Sequence, residues 1–326
     1  WVGEERVLDT WMDSSISELI ILKYKTDNDF FKRVYPCSLR PQGKEIIRTW
    51  LYYTLLRGYL ETGKACFENA WINQHITDEK GYKMSKSKGN VIDPQKLLKS
   101  YGGGAIRFWA STEGDLAKQD LKCSEERIRA EVKTLNKIWN ISKFVLQFPK
   151  AKKPKELFAT DKLFIDYIEY LTRLCEENYE KYDFYHPVLE LRKFVWDIFA
   201  SHYIEMVKAR AYNQDKKFSK QESNSAKYTL HYLLERFLTL LYPIIPQITS
   251  TIMKEKGFDL LKSEWPKAKL GKSEKLGLIN SIMNFNSEVW KIKKESGKTL
   301  RDEIKIKIPK ELEDYKKDLV AMHNII

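Results

Sequence analysis

The rhythm of apolar positions changes along the chain, and each change marks out an element. Arg6-Val7-Leu8-Asp9-Thr10-Trp11 reads as a short strand. Over residues 45–60, Ile46, Ile47, Trp50, Leu51 and Thr54 fall on one helical face, and Gly58 and Gly63 bracket its end. Residues 67–72 form a second short apolar strand, and Asp78-Glu79-Lys80-Gly81 is a turn signal. Asp93-Pro94 then offers an N-cap followed by a proline at the first helical position. Strands interleaved with helices predict an α/β layer over residues 1–120.

From residue 121 the pattern turns helical. Ser124 can cap a helix with Glu125 and Glu126 in its first turn, and Ile128, Val132, Leu135, Ile138, Trp139 and Val145 recur at helical spacing. Residues 148–155 hold two prolines and four lysines and read as a solvated connection. Helical periodicity resumes over 161–212 and 226–256, and Tyr242-Pro243-Ile244-Ile245-Pro246 bends or restarts a helix between. Residues 121–265 therefore predict an all-α bundle. Residues 266–326 predict a small α+β tail, because Ile304-Lys305-Ile306-Lys307-Ile308 alternates as a strand does.

Composition narrows the function classes. At 326 residues the length suggests roughly two domains. Nine Trp, 18 Tyr and 15 Phe argue against disorder. No apolar run approaches the roughly 18 residues that span a bilayer. Cys37, Cys66, Cys123 and Cys175 lie far apart, without zinc spacing or the density of a disulfide scaffold, so a cytoplasmic setting is expected. The first residue is Trp1, with no charged or apolar leader behind it, so the expectation is the inside of a longer protein without a signal peptide. The net charge of +12 is compatible with a polyanionic partner but does not establish one.

Lys83-Met84-Ser85-Lys86-Ser87-Lys88-Gly89-Asn90 changes the picture most. It is a polar, Lys/Ser-rich loop just before a capped helix. Ammonium groups on such a loop can meet a triphosphate, and nucleotidyl transfer needs charge stabilisation more than covalent help. The residue order resembles the Lys-Met-Ser-Lys-Ser signature of class I aminoacyl-tRNA synthetases, with the Gly-Asn-x-x-Asp-Pro continuation some of them share. The resemblance covers nearly the whole chain. Leu8-Asp9-Thr10-Trp11-Met12-Asp13-Ser14-Ser15 is similar to the segment returning from the editing domain. Leu39-Arg40-Pro41-Gln42-Gly43-Lys44-Glu45-Ile46-Ile47-Arg48-Thr49-Trp50 resembles the next block, particularly of the archaeal valyl type. Tyr101 to Trp109, Phe194-Val195-Trp196-Asp197-Ile198-Phe199, Tyr203-Ile204-Glu205 and Trp265-Pro266 resemble later blocks in the correct order.

The resemblance implies the C-terminal half of a Rossmann-type catalytic domain, an anticodon-binding bundle and a small appendage. It also implies a two-step reaction: an amino-acid carboxylate attacks the α-phosphate of ATP, Mg²⁺-bound pyrophosphate leaves, and the aminoacyl group passes to the terminal ribose of tRNA. Lys86, and after it Lys83, would stabilise the phosphates. Met84, Ser85 and Ser87 would complete the ATP loop, and Lys88 lies outside the motif. Gly43 and Glu45 match the ATP-ribose positions, and the backbone of Gln74-His75-Ile76 matches the adenine segment. Trp11 and Trp50 match the walls of an amino-acid pocket. ATP, valine and tRNA(Val) are the implied partners, with no membrane and no protein-bound metal.

The sequence departs from the family pattern at four places. Glu45 replaces an Asp, Lys44 stands where His is common, Gln74 stands where Gly is common, and Gly104 replaces an Asp that would cap a helix. No His-x-Gly-His occurs in the 326 residues. The chain alone is therefore expected not to activate an amino acid, and the N-terminal catalytic and editing part of the same enzyme is an expected partner.

Other candidates are weaker. His75, His186, His202, His231 and His323 show no metal-ligand spacing. Arg192, Lys193 and Lys208 could meet tRNA phosphates, and exposed aromatics such as Tyr185 or Tyr212 could stack on bases. Two further readings compete: an isoleucine-specific member of the family, and a non-catalytic tRNA-binding module. Asp9-Thr10-Trp11 and the absence of an Asp-Gln pair after Gly43 favour valine, and the intact lysine loop argues against a pure binding module.

Overall fold

Residues 6–11 predict a strand, yet in the structure, a computed structural model describing residues 2–269 and 275–326, this segment runs into a helix, α1 (Thr10–Ser14). The Asp9 carboxylate accepts from the Trp11 N–H at 2.9 Å, a helix cap, and residues 2–9 pair with no strand. Residues 270–274, inside the expected tail, lie outside the described residues. Among the described residues the chain is helical with two small parallel sheets, and it forms two compact units.

The first unit holds residues up to Ile92 and Glu113–Ser124. After α2 (Ser17–Ile21) and α3 (Asn28–Val34) comes β1 (Cys37–Gly43), which pairs in parallel with β2 (Phe67–Asn73), Cys37 opposite Phe67 and Gly43 opposite Asn73. The helix predicted over 45–60 is present but starts irregularly. A 3₁₀ turn over Lys44–Ile46 and a π turn over Ile47–Leu51 precede α4 (Tyr52–Thr62). Gly63 closes α4 at φ +70°, a left-handed conformation suited to glycine. The core of this unit is small, built on Leu51, Cys66 and Phe67. A second pair, β3 (Ile76–Thr77) with β4 (Leu121–Lys122), ties residues 76–77 to 121–122.

The second unit holds Asp93–Thr112 and Glu125–Ile326. It starts with α5 (Pro94–Thr112), broken by Gly102 at φ 77°, ψ 156°, and continues with α6 (Glu125–Leu146). Then follow α7 (Ala159–Tyr179), α8 (Tyr185–Lys193), a ten-residue π segment over Phe194–Tyr203, α9 (Ile204–Tyr212), α10 (Lys220–Leu241) and α11 (Pro246–Glu255). Ser219 and Glu222 form a reciprocal capping box at the start of α10. Pro246 begins α11, as the proline pattern predicts.

The tail adds α12 (Leu278–Glu295) and α13 (Lys316–His323). The predicted strand over 304–308 is a correction: only Ile304 forms a bridge, to Ile325. The alternation still sorts sides, because Ile304 and Ile308 are buried while Lys305 and Lys307 are exposed. Those isoleucines, with Leu312, Tyr315 and Leu319, join the same apolar core as the bundle helices.

A buried polar chain fixes α12 and α13 to the π segment. Asn286 Nδ2 donates to His202 Nδ1 at 3.0 Å, so that nitrogen carries no proton, and His323 Nε2 donates to Asn286 Oδ1 at 2.8 Å. Burial, with Lys293 nearby, lowers the His323 pKa from 6.5 to about 4. The unfolded chain therefore binds this proton first. Stability from this group is complete above about pH 6.5 and falls as pH drops towards 4, by up to ~3 kcal/mol. Urea unfolding at pH 7, 5.5 and 4.5 should show a steeper loss in the wild type than in His323→Gln, and equal slopes would refute the assignment.

Candidate active site

The loop over residues 83–90 is pinned at its base. Asp78 accepts from the N–H groups of Lys80 at 3.1 Å and Tyr82 at 2.8 Å, and from Asn90 Nδ2 at 2.9 Å. These bonds, with Asn90 the strongest influence, hold the Asp78 carboxyl below its usual pKa. Asn90 also accepts from the Ser85 N–H at 3.0 Å and donates to the Lys83 carbonyl at 3.3 Å. One asparagine thus closes both ends of the loop onto the Asp78 turn. Within it, Lys86–Lys88 makes a single 3₁₀ turn, capped by Ser85 Oγ and ended by Gly89 at φ +65°. Met84 turns inward, its sulfur 3.4 Å from the Ile92 N–H. Lys83, Lys86, Ser87 and Lys88 point to solvent. A rigid base with exposed ammoniums can present charge to a phosphate chain.

The ribose and adenine candidates come together at the ends of β1 and β2. A Cβ on Gly43 would lie 3.1 Å from both carboxylate oxygens of Glu45, so glycine here lets that carboxylate fold back over the strand end. Glu45 Oε2 stands 3.7 Å from His75 Nδ1. Gln74 donates its N–H to the Leu116 carbonyl at 2.9 Å, and the His75 carbonyl accepts from Leu121 N–H at 2.9 Å. Lys44, the departure from a common His, reaches Asp120 at 2.7 Å. Ile76 is exposed at the start of β3.

The two tryptophans also meet. The Trp11 and Trp50 rings stand 6.3 Å apart at 33°. Trp50 Nε1 donates to the Ser14 carbonyl at 3.3 Å, and the Arg40 guanidinium lies 3.9 Å from the Trp50 ring centroid. The opposing charge is Glu18, itself buried. Burial raises the Glu18 pKa, and Arg40 opposes that rise.

In the second unit the tRNA candidates are dispersed. Arg192 Nε pairs with Glu131 at 3.1 Å, Lys193 is exposed, and Lys208 pairs with Glu205 at 2.5 Å. Tyr212 is exposed and held by Gln147 at 2.9 Å, and the Tyr185 ring lies edge-on to His186. Among the described residues, no group of three His, Cys, Asp or Glu could hold a metal ion, and no helix is long and apolar enough to cross a membrane. Sequence reasoning missed Asp120 and Arg40 as site residues. Asp120 meets partners 76 and 45 residues away and Arg40 meets Trp50 ten residues on, distances at which periodicity is silent.

Two family models match this chain. The model described as tRNA synthetases class I (I, L, M and V) matches residues 2–123, and the anticodon-binding domain of tRNA ligase matches residues 161–309. A valine–tRNA ligase from Nanoarchaeum equitans is 42% identical over 99% of this chain and 42% of its own length. One from Aeropyrum pernix is 38% identical over 98% of this chain and 40% of its own length. The chain thus spans about two fifths of the length of these relatives. A LeuRS–tRNA–LeuAMS complex from Agrobacterium radiobacter superposes with a TM-score of 0.62 at 17% identity, over 82% of this chain and 34% of that one. A methionyl-tRNA synthetase from Mycobacterium tuberculosis gives 0.60 at 20% identity, over 74% and 49%. At those identities the likeness speaks for fold alone. With both family models matched in order and relatives at this identity along almost its whole length, the chain belongs to the class I tRNA synthetases of the I, L, M and V group.

Proposed function

We propose that this chain works within a valine–tRNA ligase, supplying the phosphate-stabilising loop, part of the ATP and amino-acid pocket, and the surface for the anticodon arm. The observation that carries the reading is the loop. Lys86 stands exposed on a turn whose base Asp78 and Asn90 lock. The likeness to valine–tRNA ligases supports valine over isoleucine. On this reading residues 1–120 are the C-terminal half of the catalytic domain, 121–265 the anticodon-binding bundle and 266–326 an appendage.

A carboxylate oxygen of valine bonds to the α-phosphorus while the bond to the pyrophosphate oxygen breaks. Negative charge grows on the departing pyrophosphate, and the ammonium groups of Lys86 and Lys83 oppose it. The Mg²⁺ that accompanies the nucleotide adds charge neutralisation. Glu45 accepts from ribose hydroxyls, the backbone of Gln74, His75 and Ile76 faces the adenine, and the Trp11 and Trp50 rings enclose the branched side chain. The tRNA ribose hydroxyl then attacks the valyl carbonyl, and AMP leaves. Arg192, Lys193 and Lys208 are the proposed phosphate contacts.

The test is amino-acid-dependent exchange of pyrophosphate into ATP. The enzyme is completed with the N-terminal catalytic part of a valine–tRNA ligase, fused or in trans. Valine-dependent exchange is expected. Isoleucine and valine differ by one methylene, worth only about 1–3 kcal/mol, so the two are compared by kcat/KM. Isoleucine preference would overturn the substrate and keep the mechanism. No exchange with either, but retained tRNA binding, would leave a binding module. This chain by itself should give no exchange, and exchange without the added part would overturn that expectation.

A further inference from the structure

The cluster that joins the two ATP segments centres on a residue that no motif includes. One oxygen, Asp120 Oδ1, accepts from Lys44 Nζ at 2.7 Å and from the His75 backbone N–H at 2.8 Å. Lys44 lies between Gly43 and Glu45, the ribose candidates, and His75 is the centre of the adenine candidate segment. One carboxylate therefore ties the exit of β1 to the entry of β3. The tie is reinforced from both sides of Asp120. Leu121 N–H donates to the His75 carbonyl at 2.9 Å, and Leu121 pairs with Ile76 in the β3–β4 ladder. The His75 backbone is thus held at both its N–H and its C=O by two consecutive residues, and Asp120 is the part of that clamp made by a side chain.

We propose that Asp120 is a positioning residue for the nucleotide: it fixes the spacing between the ribose-binding end of β1 and the adenine-binding backbone at 74–76. This rests on the function proposed above. Lys44 matters for the same reason. Its ammonium reaches the Asp120 carboxylate from the residue between the two ribose candidates. Lys44 first and the His75 N–H second hold the Asp120 carboxyl below its usual pKa. The carboxylate itself touches neither substrate nor reacting atom, so its loss should act on ATP affinity and leave the chemical step and the valine pocket alone.

The experiment has two arms. In the completed enzyme, Asp120→Ala should raise the KM for ATP about tenfold, with kcat and the KM for valine each changed less than about threefold. Asp120→Asn keeps an oxygen for the His75 N–H and loses only the ion pair, so it should recover part of the loss. A residue needed only for folding would lower the active fraction, or shift both KM values together. An unchanged ATP KM in Asp120→Ala, or equal shifts for ATP and valine, would overturn the proposal. The second arm needs no activity. On this 326-residue chain, hydrogen exchange at the His75 amide should be faster in Asp120→Ala than in wild type and slow again in Asp120→Asn. Equal His75 exchange in all three overturns the positioning whatever the kinetics give. Protected His75 in a completed enzyme that activates no amino acid would instead sink the function and leave the clamp standing.

Discussion

Lys86→Ala in the completed enzyme is expected to lose about two to three orders of magnitude in valine-dependent exchange, while tRNA affinity changes little. The expectation follows from where the charge is needed. Pyrophosphate departs as a polyanion, and a cation that meets it only as the bond breaks stabilises the transition state more than the ground state. Such a loss falls on kcat, with a smaller change in the KM for ATP. Lys86 opens the 3₁₀ turn, and its ammonium is exposed at a place the Ser85 cap and Gly89 define. Arginine at position 86 keeps the charge but not the compact ammonium, so Lys86→Arg should recover only part of the rate. Lys83 follows the Asp78 turn and bridges Thr77, so Lys83→Ala should cost less. Lys88→Ala, outside the signature, should stay within about threefold of wild type. A Lys86→Ala enzyme with exchange within threefold of wild type would remove the loop from the mechanism.

The helical half was legible because its core obeys the helical period. Ile128, Ile138 and Val145, read from spacing alone, are all fully buried in α6. The turn at Asp78 and the start at Pro94 were legible because their chemistry is local. The failures have one physical cause. A strand is defined by its partner, and residues 6–11 and 304–308 have strand-like spacing but no ladder to join. At 304–308 the alternation reported the buried side correctly and the secondary structure wrongly. In the candidate site, the motif wording pointed to Lys86, Glu45 and the tryptophans. It could not reveal Asp120, whose partners lie 76 and 45 residues away, or Arg40 beneath Trp50. Those are tertiary pairings, and one sequence without relatives carries no record of them.

The same limit applies to a fully buried ion cluster, whose centre the sequence presents as an ordinary surface-type arginine on a helix. Arg210 is fully buried. Its NH groups reach Asp161 at 2.7 and 2.8 Å, Asp318 at 2.9 and 3.1 Å, and the Glu222 carbonyl at 2.9 Å, with the Phe158 ring 4.5 Å away. Tyr203 and Ser225 donate to the same Asp161. One guanidinium thereby joins α7, α9, α13 and the first turn of α10. Burial alone would depress its pKa, but Asp161 and then Asp318 outweigh burial and keep it charged. Burial in turn raises the Asp318 pKa, and Arg210 opposes that rise. Arg210→Met preserves much of the volume and removes the charge, leaving two carboxyls buried without a counter-ion. The expected cost is about 3–5 kcal/mol, large against typical domain stabilities. Thermal unfolding of this chain should move down by about 10 °C. Arg210→Lys should fail nearly as badly, because one ammonium cannot span two carboxylates in a fork. The combined change Arg210→Met, Asp161→Asn and Asp318→Asn should recover part of the loss by removing the stranded charges. If Arg210→Met shifted the midpoint by less than about 2 °C, the cluster would be a passenger of the packing rather than what holds the tail helix to the bundle.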